Sequence, residues 1–198
     1  MLLYLYSILG AKSRALKNEQ GVVKMNSKLI ILRGNSGSGK TTTALRLQEI
    51  LGKATLVVSQ DMVRLDMLKV NDREGNLSIE LIKQIAEYGL GKCPFVIVEG
   101  ILSTKRYKEM LLKLIKVFES DTYIYYFDIP FEETLERHKK RGKVNEFGET
   151  EMRSWWNDKD YLGVPNEKTI RKDSTQEEVV QEILNDIGYK ETTFSLNG

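Results

Sequence analysis

The sequence predicts an α/β protein, a three-layer α/β/α sandwich in which helices cover both faces of a parallel sheet of about five strands. Apolar runs of strand length alternate along the chain with amphipathic segments of helix length. Crossovers of helix length require parallel strands and right-handed connections. A chain of 198 residues, 41% of them hydrophobic, is large enough to bury the core of one such domain.

Five short runs have the composition of buried strands, being rich in branched aliphatic and aromatic side chains and bounded by polar turns. They lie at 29–32, 54–59, 95–98, 122–127 and 168–171. Seven segments have a helical period or a helix-start signal, at 41–51, 62–69, 78–88, 103–118, 130–140, 151–156 and 174–187. Because ligands of such sheets bind at the carboxyl ends of the strands, the residues after each strand are the candidates for chemistry.

The two ends of the chain are predicted to lie outside this domain, which extends over 25–190 and leaves 191–198 as a tail. Residues 1–9 are apolar and aromatic, too few to span a bilayer, and no basic segment of a secretory signal precedes them. Two interpretations of 1–24 stay open. Either translation starts at Met25, or the segment is an amphipathic one that lies on a membrane surface.

Charge and cysteine content limit the class of protein. The chain has 30 basic and 28 acidic residues, a net charge of +2 that argues against a dedicated nucleic-acid binder. Cys93 is the only cysteine, so no internal disulfide and no cysteine-based zinc site can form. These properties fit a reducing, cytoplasmic compartment.

The turn after the first strand is rich in glycine and has the spacing G-x-x-x-x-G-K-[ST]. Its glycines let the backbone wrap a phosphate chain, and the N–H groups of 37–41 form an anion nest at a helix start. Lys40 is expected to reach the β- and γ-phosphates, and the Thr41 hydroxyl to hold Mg²⁺. The predicted nucleotide-binding residues are Gly34, Asn35, Ser36, Gly37, Ser38, Gly39, Lys40, Thr41 and Thr42.

Acidic residues follow the next strands. Phosphoryl transfer needs a carboxylate that accepts the proton of the attacking hydroxyl and an acidic group that holds Mg²⁺ directly or through water. We expect Asp61 to be the base and Glu99 to be the metal ligand, whereas Asp128 belongs to a turn into a helix. An alternative for Asp61 is a helix N-cap. Arg64 lies on the same helix face, where it either presents a cation to the acceptor or forms an ordinary ion pair.

The densest basic run of the chain occupies 137–143, at the end of a predicted helix. Arg137 and Arg141 are four residues apart and share one helix face. We interpret them as arginines of a small lid near 137–160, able to approach the transferring phosphoryl group; the alternative is a solvated basic helix end. His138 is expected at the surface, and Trp155 with Trp156 either covers a ligand ring or packs a short helix on the sheet.

From Ser27 to Ile187 the chain resembles the P-loop kinases. Asp61-x-x-Arg64 after the second strand is similar to the pattern in the group of small bacterial kinases that contains polynucleotide kinase, zeta toxin and chloramphenicol phosphotransferase. The resemblance implies ATP as the nucleotide, strand order 2-3-1-4-5, Asp61 as base, and Arg64 as an acceptor contact. It also implies lid arginines at the positions of Arg137 and Arg141, with 172–175 next to the base.

Three functions remain open on the sequence alone. The first is an ATP-dependent kinase acting on a hydroxyl of a small molecule. A nucleic-acid 5′-hydroxyl kinase is an alternative that the near-neutral charge does not favour, and the phosphatase domain of bifunctional end-healing enzymes is not found in the sequence. A nucleotide-dependent switch is the other alternative. Residues 157–160 contain Asn, Lys and Asp in the wrong order for a guanine-reading motif, and we interpret them as coincidental.

Overall fold

The computed structural model describes residues 26–140 and 148–190, together with the backbone of 16–17 and 23–24. Five parallel strands form the central sheet: β1 Lys28–Gly34, β2 Thr55–Ser59, β3 Phe95–Gly100, β4 Thr122–Asp128 and β5 Glu167–Arg171. Their order is β2-β3-β1-β4-β5, so the strand order 2-3-1-4-5 is confirmed. In a separate two-stranded sheet, Leu16–Lys17 pairs with Val23–Lys24 in an antiparallel manner.

Six α-helices connect and cover the strands: α1 Lys40–Leu51, α2 Leu77–Gly89, α3 Thr104–Phe118, α4 Phe131–Lys140, α5 Glu149–Ser154 and α6 Gln176–Asp186. A π-helix, Met62–Met67, follows β2, and a 3-10 turn, Glu119–Asp121, follows α3. Every helix in the described part of the chain is too short or too polar to cross a membrane.

The core consists of two apolar layers, one on each face of the sheet, which confirms the three-layer architecture. Side chains of β1 alternate between them: Leu29 and Ile31 pack with α2 and α3, whereas Ile30 and Leu32 pack with α1 and α6. All four side chains are fully buried. A strand covered on both faces has no polar side to expose, which explains why its sequence is a continuous apolar run.

Three local expectations are corrected by the structure. The sequence predicts Ser78 as the N-cap of the helix at 78–88, but Asn76 caps α2, because the Asn76 Oδ1 accepts a hydrogen bond from the Ser78 N–H at 3.0 Å. The predicted helix 62–69 is a shorter π-helix. The helical period of 41–51 predicts that Leu45, Leu47 and Ile50 pack on the sheet, but Leu45 is exposed, since Ala44 and Leu47 occupy the face of α1 that meets the sheet.

Candidate active site

The carboxyl ends of the strands bring the predicted site residues to one edge of the sheet. Leu32 of β1 and Ser59 of β2 are both in register with Glu99 of β3, and Gly34 is in register with Phe127 of β4. The glycine-rich turn after β1 therefore lies between the segments that follow β3 and β4. We call the residues 34–41 the phosphate loop.

Close approach of neighbouring backbone explains two of the glycines in the phosphate loop. Gly34 and Gly37 have φ angles of +140° and +77°, in the region that residues other than glycine rarely adopt. A Cβ at Gly34 would lie 2.7 Å from the carbonyl oxygen of Phe127, and one at Gly37 would lie 2.8 Å from that of Thr134. The loop is thus packed directly on the end of β4 and the start of α4.

Lys40 is buried, and its ammonium lies inside the phosphate loop. The Nζ donates hydrogen bonds to the main-chain oxygen of Asn35 at 2.7 Å and to the Ser38 Oγ at 3.1 Å. Both acceptors belong to the loop that would enclose the phosphates. The lysine is therefore placed where an incoming phosphate oxygen could replace either acceptor.

Thr41 and Glu99 meet at the start of α1. The Thr41 Oγ1 donates to the Glu99 Oε2 at 3.1 Å, and Glu99 is only 2% exposed at the end of β3. A hydroxyl and a carboxylate are oxygen ligands of the kind that Mg²⁺ prefers, and in nucleotide sites phosphates and water complete its shell. These two residues fit a nucleotide-bound Mg²⁺. Within 26–140 and 148–190, no group of three acidic, histidine or cysteine side chains forms a separate metal site.

Asp61 lies two residues beyond β2 and is accessible to solvent, with 67% of its side chain exposed. Its carboxylate accepts a hydrogen bond from Arg64 Nη2 at 3.2 Å. Asp61 has helical backbone angles and its side chain makes no capping hydrogen bond, so the N-cap alternative is wrong. A π-helix begins at the next residue, and such helices occur often at functional sites.

Arg137 of α4 contacts the phosphate loop directly. Its Nη1 donates to the Ser38 carbonyl oxygen at 3.3 Å, and its Nε donates to Glu133 at 2.8 Å. Arg141 lies outside the described residues, so its placement stays a prediction. His138 is buried, contrary to the surface position expected from the basic run around it. His138 lies on the inner face of α4, and this position makes it buried although its sequence neighbours are charged.

The two tryptophans of the chain follow α5 and differ in their surroundings. The Trp156 ring packs edge-on against Phe131 with centroids 5.1 Å apart, as the packing interpretation predicts. Trp155 is about half exposed.

A cavity of about 210 Å³ opens beside the phosphate loop, between α4 and the turn that leads from β5 into α6. Ser38, Gly39 and Arg137 line one side, and Arg171, Ser174 and Thr175 line the other. Phe127, Ile129 and Ile170 contribute apolar surface. The position next to the phosphate loop and the apolar surface are suited to a nucleotide base, and two residues of the expected base contact at 172–175 take part.

A buried polar network next to the site was not expected from the sequence. Arg33 precedes the phosphate loop and is fully buried, and its guanidinium binds Asp160 and Glu167 at 2.8 and 2.9 Å. Asp160 belongs to the segment 157–160, in which Asn, Lys and Asp occur in the wrong order for a guanine-reading motif. Its N–H donates to the Tyr126 hydroxyl at 3.0 Å, and burial raises the pKa of Tyr126 to about 12. The only feature of the sequence that could have indicated this network is Arg33 itself, a charged residue at the end of an apolar strand.

Comparison with known proteins agrees with this geometry. Residues 29–158 match the family model described as an AAA domain. No curated protein sequence matches the chain significantly. Among solved structures, the chain is similar to the APS kinase of Mycobacterium tuberculosis in complex with AMPPNP and APS. The TM-score is 0.61 at 19% identity, covering 83% of this chain and 99% of the other.

Two further solved structures are small kinases with the same fold. A gluconokinase from Sinorhizobium meliloti has a TM-score of 0.59 at 15% identity, covering 81% of this chain and 91% of the other. The shikimate kinase of Acinetobacter baumannii in complex with shikimate has a TM-score of 0.53 at 21% identity, covering 83% and 95%. At these identities the likeness establishes the fold, so the prediction of a P-loop kinase fold is confirmed.

Proposed function

The chain belongs to the AAA domain family, and from that premise we propose that it is an ATP-dependent kinase that transfers the γ-phosphoryl group to a hydroxyl of a small-molecule acceptor. The observation that carries the proposal is the meeting of Lys40, Thr41 and Glu99 at one end of the sheet, with Asp61 at the end of the adjacent strand. The fold is shared with kinases of small acceptors, such as the shikimate kinase. A cytoplasmic location is part of the same proposal.

The proposed nucleotide site uses the phosphate loop and the cavity beside it. The N–H groups of Gly34, Asn35, Ser36, Gly37, Ser38, Gly39, Lys40, Thr41 and Thr42 line or flank the phosphate chain of ATP. Lys40 exchanges its loop acceptors for phosphate oxygens, and Thr41 with Glu99 would hold Mg²⁺, which neutralises phosphate charge when bound. The base occupies the cavity between Arg137 and Thr175.

The proposed transfer needs a base and cations near the acceptor. Asp61 accepts the proton of the attacking hydroxyl, and its solvent exposure leaves room for an acceptor to approach. Arg64 holds Asp61 now and contacts the acceptor in the complex. Arg137 already touches the phosphate loop, and it stabilises the transferring phosphoryl group; Arg141 is proposed as the second lid arginine.

The experiment measures ADP release by the purified protein with ATP and Mg²⁺ against a panel of acceptors. The panel holds nucleosides, sugars, amino-alcohol antibiotics and 5′-hydroxyl oligonucleotides, and Lys40→Ala is the blank. A small molecule that raises ADP release and appears phosphorylated by mass spectrometry supports the proposal. Stimulation by the oligonucleotide alone would replace it with the nucleic-acid kinase. Slow hydrolysis that no acceptor stimulates would favour the nucleotide-dependent switch.

The role of Asp61 is tested by Asp61→Asn, with Asp66→Asn as a matched control. Asp66 is an exposed aspartate in the π-helix that follows Asp61, so the control makes the same chemical change nearby. Loss of a general base lowers turnover by about 10²–10⁴-fold. We expect that loss for Asp61→Asn with ATP affinity retained, and near-normal turnover for Asp66→Asn. Normal turnover by Asp61→Asn would exclude it as the base.

A further inference from the structure

Residues 155–160, which we call the return segment, follow α5 and lie against the first half of the phosphate loop. The Asn35 side chain joins the two. Its Nδ2 donates to the main-chain oxygen of Asn157 at 2.7 Å, and its Oδ1 accepts from the Asn157 N–H at 2.9 Å. Asn35 is only 4% exposed, so water does not compete for either bond. The side-chain amide of Asn35 thus pairs with both main-chain groups of Asn157, as a neighbouring β-strand would.

A second contact holds the same segment one residue before the loop begins. Arg33 Nη2 donates to the Asp160 carboxylate at 2.8 Å, and Nη1 donates to the main-chain oxygen of Asp160 at 2.5 Å. The N–H of Thr104, at the start of α3, also donates to this carboxylate, at 2.9 Å. Residues 33 and 35 therefore hold the return segment from both sides of Gly34.

The hydrogen bonds continue from the return segment to the phosphate-binding lysine. The main-chain oxygen of Asn35 accepts from Lys40 Nζ at 2.7 Å, while the side chain of the same residue is held by Asn157. Fixing the Asn35 side chain restrains the orientation of its carbonyl group. A phosphate oxygen that accepts the hydrogen bond of the Lys40 ammonium would replace the Asn35 carbonyl oxygen. Phosphate binding therefore changes the hydrogen bonding of Asn35, whose side chain is bonded to the return segment.

We propose that Asn35 is a positioning residue that couples occupancy of the phosphate loop to the return segment. Its side chain preorganises the loop for phosphate and passes the effect of phosphate binding to Trp155 and Trp156. The inference rests on the proposed function only in that the loop binds ATP. The proposal gives the segment 157–160 a role through its contacts with Asn35 and Arg33. This role is unrelated to the recognition of a guanine base.

The chain carries its own reporter of this coupling. Trp155 and Trp156 are its only tryptophans, and both lie in the return segment, directly before Asn157. Trp155 is half exposed, so its emission is sensitive to movement of the segment relative to solvent. Tryptophan fluorescence therefore measures the return segment, while calorimetry measures binding at the phosphate loop.

The experiment titrates the full chain with AMPPNP and Mg²⁺ and records binding heat and tryptophan fluorescence in parallel. We expect wild-type fluorescence to change in proportion to occupancy. Asn35→Ala removes both hydrogen bonds to Asn157 and with them the preorganisation of the loop, so affinity for AMPPNP is expected to fall about tenfold. At saturation the fluorescence change is expected to disappear.

Asn166→Ala is the matched control, because Asn166 Nδ2 also donates to a main-chain oxygen, that of Thr122, at 3.0 Å. Thr122 begins β4, at the opposite end of the sheet from the phosphate loop. The control is expected to bind AMPPNP and to respond as wild type does. A full response by saturated Asn35→Ala, or binding without a response in wild type, would overturn the coupling and leave the kinase proposal standing. Absence of AMPPNP binding by wild type would overturn both.

Discussion

Arg33→Met tests whether a buried charge network holds the site together. Arg33 has no exposed surface and lies over the Tyr126 ring, with 5.3 Å between its guanidinium carbon and the ring centroid. It binds the carboxylates of Asp160 and Glu167 and donates to the Leu102 carbonyl oxygen at 3.2 Å. Methionine fills a similar volume without charge, so both carboxylates lose their cation inside the protein.

Removing one partner of a buried ion pair lowers the unfolding free energy by about 3–5 kcal/mol, because the remaining charge is uncompensated. We expect Arg33→Met to lose that amount of unfolding free energy. With an m-value of about 2 kcal/mol/M, the urea midpoint is expected to move down by roughly 2 M. Urea titration followed by far-UV circular dichroism measures the shift.

Arg46→Met is the matched control for this measurement. Arg46 also contacts two acidic side chains, Glu49 and Glu177, but on the exposed surface of α1 and α6. Exposed pairs contribute little, so we expect almost no change in the midpoint. If Arg33→Met shifts the midpoint no more than Arg46→Met does, the two carboxylates are not held as buried charges, and the reasoning is refuted.

Three further predictions concern backbone, protonation and capping. Gly37→Ala is expected to destabilise the protein by about 1–3 kcal/mol more than Gly75→Ala, because φ is positive at both glycines but only Gly37 lies against the Thr134 carbonyl; equal losses in urea would contradict the clash. Between pH 10 and 12 the unfolding free energy is expected to fall, because buried Tyr126, with its pKa raised to about 12, keeps a proton that the unfolded chain releases near pH 10. Tyr126→Phe should remove up to about 1.4 kcal/mol per pH unit of that fall, and an unchanged slope would count against it. Asn76→Ala is expected to cost about 1 kcal/mol in thermal unfolding through loss of the α2 cap, and an unchanged midpoint would argue that the cap contributes nothing.

The fold and the phosphate loop could be predicted because their signals are local. The apolar run at 29–32 and the spacing from Gly34 to Thr41 lie within a few residues of each other, and strand, turn and helix form in that order. The expectation that Thr41 and Glu99 both serve Mg²⁺ also followed from local evidence. Residues that end parallel strands must lie at one edge of the sheet.

The partners of Arg33 and Asn35 could not be predicted in this way. More than 120 residues separate each from Asp160 and Asn157, and no period or motif connects positions so far apart. The same limit applies to His138, whose basic neighbours indicate a surface although α4 turns it inward. Neighbours in sequence do not describe the surroundings of a helical side chain, because successive side chains point to different faces of the helix.

The sequence by itself determined the fold class and the position of the phosphate loop, because hydrophobic period and glycine spacing act through the adjacent backbone. The tertiary structure alone decided what holds that loop in place. Arg33 can be buried only because Asp160 and Glu167 return to it from distant parts of the chain and supply the opposite charge. Such compensation is a property of three-dimensional packing, where residues far apart in sequence share one low-dielectric environment.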